Sequence, residues 1–315
     1  MTSSFSCAPY IKEIGRGKAG ARSLKREQAF ALFDAILRGQ VSDLELGAVM
    51  LAFRVKGESV AEMAAYMEAA QAFLLPLQVE SALAPVILPS YNGARHAANL
   101  LPLLAGLLAC AGVPVLVHGI EHFAGRVSSH EIWQQLGWPL VASPEHALTQ
   151  MQAAWAQRQP VFVTTCTLAP RLSELLHLRN ILGVRNATHT LIKMVQPFTQ
   201  PALRMVSYTH PEYHVLQTEF LRDSGAHALL LRGTEGEVVA NPRRQPQIEW
   251  FHGGQHEILQ EGDHLPLAEV PALPASRDAE PTARWIEQAL AGQQPVPEII
   301  VKQVERTLHA LKCVV

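Results

Sequence analysis

The sequence is sparing with charge and with aromatic rings: Asp, Glu, Lys and Arg make up 17% of its 315 residues, and Phe, Trp and Tyr only 6%. A charge-rich disordered chain is thereby excluded, because the 48% hydrophobic content supplies a core for about two domains. Long apolar runs are missing as well. The longest stretch, Leu100 to Val117, is broken by two prolines and two glycines, which excludes a membrane span. Met1 to Tyr10 has no basic segment followed by an apolar one, so no secretory leader is expected. The four cysteines, Cys7, Cys110, Cys166 and Cys313, lie far apart and no pair has metal-ligand spacing, which points to free thiols in a cytoplasmic protein. None of the 14 histidines shows ligand spacing, since His252 and His256 flank a Gly-Gly turn, so neither metal nor cofactor is expected. No nucleophile–base pair is recognisable.

Net charge is only −2, which by itself argues against a nucleic-acid binder, but the charge is unevenly placed. Lys12, Arg16, Lys18, Arg22, Lys25 and Arg26 face only Glu13 and Glu27 within residues 1–30. Arg171, Arg179, Arg185, Lys193 and Arg204 face only Glu174 within residues 165–210. The Gly15-Arg16-Gly17-Lys18 run is not a phosphate-binding P-loop, because no Ser or Thr follows the lysine and no strand precedes it. It reads either as a basic loop that contacts phosphates or as a solvated loop before a helix. Lys25 and Arg26 near a helix start oppose the helix dipole, a mild cost that favours the first reading.

Helix signals open the chain. Ser23 is placed to cap a helix ending at Gly39, and the pairs Ser42/Glu45 and Ser59/Glu62 form capping boxes before two more amphipathic stretches. After Pro85 the pattern changes to short apolar runs at 86–88, 113–117, 161–165, 203–208 and 228–231. Helical stretches alternate with them at 96–111, 129–137, 144–158 and 211–224, and two more helices are expected at 282–291 and 297–311. Strand–helix alternation means a mostly parallel sheet covered by helices, with ligands bound in the loops beyond the strand ends. Those loops are 89–95, 118–129 and 233–244. Residues 171–193 read as helical and interrupt the alternation. Arg185, His189 and Lys193, spaced i, i+4, i+8, would form one basic stripe on a continuous helix.

Several segments, in order, carry a family resemblance: Leu51-Ala52-Phe53-Arg54-Val55-Lys56-Gly57-Glu58, His118-Gly119 leading to Gly125-Arg126-Val127-Ser128-Ser129, Arg179 before Gly183 and Arg185, and Pro197-Phe198-Thr199-Gln200-Pro201. Over nearly its whole length the sequence resembles the anthranilate phosphoribosyltransferase family (TrpD-like, glycosyltransferase family 3). The resemblance implies an α/β fold with a small helical domain at 1–80, completed by 171–193, and a larger domain at 81–170 and 194–315. It also implies a homodimer through the helical domain.

The departures from that family bear on function. Its Gly-Thr-Gly-Gly-Asp phosphate loop is replaced by Ser90-Tyr91-Asn92-Gly93-Ala94-Arg95, with a single glycine. Val117 stands where the family has a lysine, and Val238-Val239 stand where it has the Asp-Glu pair that binds magnesium, a role valine cannot fill. The runs Lys12 to Lys18, Pro89 to Arg95 and Gly233 to Val238 resemble the YbiB-like subgroup, which is described as nucleic-acid binding.

The resemblance therefore points to a sequence-nonspecific nucleic-acid binder on a degenerate transferase scaffold rather than an enzyme. Single-stranded DNA or RNA is the expected partner, with duplex as a further possibility. The expected phosphate contacts are Arg16, Lys18, Arg22, Lys25, Arg26, Arg171, Arg179, Arg185 and Lys193. At the former substrate site, Tyr91, Asn92, Gly93, Arg95, His118, Arg126, Ser128 and Ser129 are the candidates. Tyr91 and Asn92 either stack on and hydrogen-bond an exposed base or form a turn that plugs the pocket. Ser128 and Ser129 cap a helix or touch phosphate. Arg179 contacts a ligand or pairs with Glu174. The alternative function is a phosphoribosyl or glycosyl transferase with an altered substrate and little or no metal dependence.

Overall fold

The structure is a computed structural model that describes residues 5–17, 19–263 and 270–314; Lys18, one of the expected phosphate contacts, lies outside them. In chain order the helices are α1 (Ala8–Ile14), α2 (Arg26–Leu37), α3 (Asp43–Lys56), α4 (Val60–Gln71), α5 (Leu101–Cys110), α6 (Ser129–Leu136), α7 (Ala147–Ala156), α8 (Thr165–Leu168), α9 (Pro170–Leu182), α10 (Thr188–Leu191), α11 (Pro211–Asp223), α12 (Ala279–Leu290) and α13 (Glu298–Leu311). The strands are β1 (Val86–Ser90), β2 (Val115–Gly119), β3 (Leu140–Val141), β4 (Val161–Thr164), β5 (Leu203–Tyr208), β6 (Ala228–Arg232), β7 (Ile248–His252) and β8 (Gln255–Gln260). The chain forms two compact units, Met1–Leu75 with Ala169–Pro197, and Pro76–Leu168 with Phe198–Val315.

The smaller unit is helical. Ser42 and Ser59 hold the extended backbone of N-caps, and each hydroxyl accepts a hydrogen bond from the amide three residues on. Ser23 does not cap α2. The N-cap position is Lys25, and its amide donates to the Gln28 side chain at 3.2 Å. Phe33 anchors the core, with Tyr66 edge-on at 4.5 Å and Phe53 at 5.2 Å between ring centroids. Beside them the Glu62 carboxylate is fully buried. It accepts from the Leu24 and Ser59 amides, each at 2.8 Å, and from Lys56 Nζ at 2.7 Å.

The larger unit is built on one eight-stranded sheet in the order β3-β4-β2-β1-β5-β6-β7-β8. The first six strands run parallel, and β7 and β8 extend the sheet antiparallel beyond β6. Strand β7 turns into β8 through Gly253 and Gly254, whose φ of 53° and 81° suit residues without a Cβ. This hairpin and the two-residue β3 were not anticipated from the sequence. Leu101, Leu104 and Leu108 of α5 are buried against the sheet with Trp133 of α6 and Ile286 of α12. Helix α5 starts five residues later than its apolar run suggests, and the intervening segment stays a loop.

Candidate functional site

The loop that follows β1 is held by two carboxylates from the loop that follows β6. Glu237 Oε1 accepts from the amides of Asn92 at 2.8 Å and Gly93 at 2.7 Å. Glu235 takes the next three donors, Arg95 at 2.8 Å through Oε2, then His96 at 2.9 Å and Ala97 at 3.0 Å through Oε1. Five backbone N–H groups thus converge on two acidic side chains, as they would on a bound anion. Residues 95–97 lie outside α5, and their amides bond to Glu235 instead. Burial pushes the Glu235 carboxyl up, but the three amides outweigh it and hold the group below its ordinary range. Glu235 itself sits at φ +52°, a conformation costly for a side-chain-bearing residue, which the three bonds sustain. At Gly236, φ is +90° and a Cβ would lie 1.9 Å from Asn92 Nδ2, so only glycine fits between the two loops.

Tyr91 is buried, which decides between the two readings of this turn: the ring fills the interior and is not exposed to stack on a base. Its hydroxyl lies 2.8 Å from His118 Nδ1 and 3.1 Å from Thr165 Oγ1, and Thr165 in turn donates to the Gly119 carbonyl at 2.8 Å. One proton order satisfies every donor: Nδ1–H to Tyr91, Tyr91 to Thr165, Thr165 to Gly119. The buried Nε2, which has no partner among the described residues, is then a bare acceptor rather than a stranded donor. Burial drives the His118 pKa down to about 3, so the ring is neutral and carries no charge toward a phosphate.

The remaining candidates of this loop cluster serve structure. Ser128 caps α6, with its hydroxyl accepting from the Glu131 amide at 3.1 Å. Buried Ser129 receives bonds from Ser90 Oγ at 2.7 Å and Asn99 Nδ2 at 2.9 Å. The half-buried Arg126 donates to the carbonyls of Asn92 at 3.2 Å and Gly93 at 3.3 Å, bracing the same loop from the other side. Arg95 is exposed and presents its side chain outward. The residues do not suit magnesium. Val238 and Val239 are buried and apolar, and the neighbouring Glu235 and Glu237 are engaged with amides. No cluster of His, Cys, Asp or Glu among the described residues could hold a metal ion.

The expected basic stripe takes a different form. Helix α9 ends at Leu182 with Gly183 in the left-handed conformation, and α10 begins only at Thr188, so Arg185 lies in the irregular connection between them rather than on a helix face. The cations nevertheless converge. His189 is pushed down to about 4, first by burial and then by the charges of Arg185, Arg179 and Lys193. Its Nδ1 accepts from the Asn186 amide at 3.2 Å, which fits a neutral ring. Arg171 is structural: it donates to the Leu37 carbonyl at 2.7 Å at the C-terminus of α2 and pairs with Glu174. That pairing leaves Arg179 without the acidic partner the sequence suggested. Arg16 pairs with Glu13 at 2.9 Å and Arg26 with Glu68 at 2.8 Å, while Arg22 and Lys25 are exposed.

Residues 8–73 match the helical bundle domain of the glycosyl transferase family. The chain is 44% identical to the uncharacterized protein YbiB of Escherichia coli K12 across 302 residues, covering 95% of this chain and 92% of that one. It is 28% identical to an anthranilate phosphoribosyltransferase of a Synechococcus strain, covering 86% and 78%. Among solved structures, the anthranilate phosphoribosyltransferase of Thermus thermophilus superposes with a TM-score of 0.71 at 22% identity, over 96% of this chain and 88% of that one. The Saccharomyces cerevisiae enzyme in complex with PRPP and Mg superposes with 0.68 at 12% identity, over 97% and 88%.

Proposed function

This chain belongs to the YbiB-like branch of the anthranilate phosphoribosyltransferase (TrpD-like) family, and from that premise we propose that it binds nucleic acid without sequence specificity rather than transferring a phosphoribosyl group. The observation that carries the reading is the convergence of Arg179, Arg185 and Lys193 around His189 in the smaller unit. Three cations whose combined field helps to empty a histidine of its proton form a site that a polyanion would stabilise. The larger unit supports the negative half of the reading, because its own carboxylates hold the amides a pyrophosphate would need. With Tyr91 buried, the contacts are to phosphates and not to stacked bases.

The protein acts as a homodimer in this reading. Leu44, Leu51 and Val55 leave an apolar stripe on α3, 86%, 42% and 67% exposed, and Ile181 at the end of α9 is 81% exposed. A second copy covers such a surface by symmetry and doubles the basic area. Its four cysteines are free, in keeping with a cytoplasmic location.

Fluorescence anisotropy with labelled single-stranded and duplex oligonucleotides, at two salt concentrations, tests the proposal. Affinity should fall with a log–log slope of roughly −0.7 per neutralised phosphate on single strands. The Arg185→Ala/Lys193→Ala variant should bind more weakly and with a shallower slope. Salt-independent binding, or none at low salt, would overturn the reading. Micromolar binding of the pyrophosphate donor with magnesium would replace it with an altered transferase.

A further inference from the structure

The larger unit contains a cavity of about 310 Å³ between residues 96–100, the loop after β6 and the segment leading into α12. It adjoins the cradle described above through His96 and Ala97, but none of residues 90–95, His118 or Arg126 lines it. Its size is at the lower end of pockets that hold small molecules, roughly 300–1,000 Å³. The apolar part of its wall is aliphatic: Leu100, Val239, Leu273 and Pro274 contribute, and among the described residues no Phe, Tyr or Trp does.

Its polar part is one-sided. Arg243, Arg277, His96 and Asn241 line it, and no carboxylate does among the described residues. Both oxygens of Glu235 and Oε1 of Glu237, the acidic groups of the adjacent loop, accept from amides of residues 92, 93 and 95–97. The hydroxyls in the wall are engaged: Thr234 donates to the Val239 carbonyl at 2.9 Å and Ser276 to Asp278 at 2.7 Å. Arg277 is anchored, its guanidinium donating to the carbonyls of Arg95 and Gly125. Arg243 is not. Its amide donates to Asn241 Oδ1 at 2.9 Å, but its guanidinium and the Asn241 Nδ2 have no partner among the described residues. The cavity therefore presents unused donors and positive charge over an aliphatic floor.

We propose that this cavity binds a small aliphatic anion, a short-chain carboxylate or alkyl phosphate, with its charged end on the Arg243 guanidinium and Asn241 Nδ2 and its alkyl body against Leu100, Val239 and Leu273. A planar guanidinium donates two parallel N–H groups to the oxygens of either headgroup. A wall with no Phe, Tyr or Trp among the described residues favours an alkyl body over an aromatic one. Through Arg277, which spans the loops after β1 and β2, an occupant also touches the residue that holds those two loops together. The proposal is independent of nucleic-acid binding, since every residue it uses lies in the larger unit.

The test is isothermal titration of the full-length protein with hexanoate, butyl phosphate and neutral hexanol as separate probes. Hexanoate or butyl phosphate should bind in the millimolar range or tighter, and the stronger of the two identifies the headgroup. Hexanol should bind about ten-fold more weakly or not at all. Arg243→Ala should weaken anion binding by about ten-fold and Arg243→Lys by less. Ala275→Trp, an exposed lining position, should occlude the cavity and abolish binding while the melting temperature holds. The proposal fails if neither anion binds, if hexanol binds as well as hexanoate, or if Arg243→Ala and Ala275→Trp leave binding unchanged.

Discussion

Glu237 Oε1 stands 2.7 Å from the amide nitrogen of Gly93, although 144 residues separate the two in sequence. The same oxygen takes the Asn92 amide, and both partners are buried. Replacing Glu237 by alanine strands two buried donors, which should destabilise the larger unit by about 2–4 kcal/mol. Glutamine keeps a carbonyl acceptor but loses the charge and should cost about 1 kcal/mol. Urea unfolding of the two variants, followed by tryptophan fluorescence, separates these outcomes.

Acid should weaken the fold through His118 well before carboxylates titrate. Burial lowers its pKa to about 3 in the folded state, against about 6.5 in the unfolded chain. The unfolded state therefore binds the extra proton between those values, and stability falls as pH drops below about 6.5, with a slope approaching 1.4 kcal/mol per pH unit. In His118→Gln that part of the pH dependence should vanish. Denaturation midpoints at pH 7 and pH 5 for both proteins read the difference.

The Lys56–Glu62 pair of the smaller unit should be intolerant of removing one partner. Glu62 is fully buried and Lys56 nearly so. Lys56→Ala leaves the carboxylate with two amides and no counter-charge, a loss of about 3–5 kcal/mol. Lys56→Met with Glu62→Gln together should cost less than Lys56→Ala alone, and calorimetric unfolding of the variants checks the order.

If a second copy covers α3, Leu51→Arg should yield monomers, because a charge then opposes its symmetry mate. Size-exclusion chromatography with light scattering reads the mass directly. An unchanged dimer would move the interface to another face.

Much of this architecture was legible in the sequence, and the failures have physical causes. Ser42 and Ser59 announced two helix starts, because an N-cap depends on residues only three apart. The five principal parallel strands were visible as short apolar runs, since each is buried on both faces. The β7–β8 hairpin was missed although Gly253-Gly254 marked its turn, because exposed Gln255, His256 and Glu257 dilute the apolar signal of an edge strand. Gly183 was the signal that α9 would stop before Arg185, and the i, i+4 spacing concealed it. The sequence offered a buried Tyr91 only as one of two equal readings, and the capture of the loop at 92–97 by Glu235 and Glu237 was not legible. Those partners lie well over a hundred residues away, and nothing local specifies such a pairing.

The cradle that Glu235 and Glu237 fill has a thermodynamic consequence. A protein that must bind an anion to order such a loop gains stability with ligand concentration, by RT ln(1 + [L]/Kd). Here the two carboxylates are covalently part of the chain, so their effective concentration is fixed and cannot be diluted. The loop after β1 is then as ordered in a phosphate-starved solution as in a phosphate-rich one. The unfolding temperature of the larger unit should then stay level across a titration with pyrophosphate, since the chain carries its own acceptors for those amides.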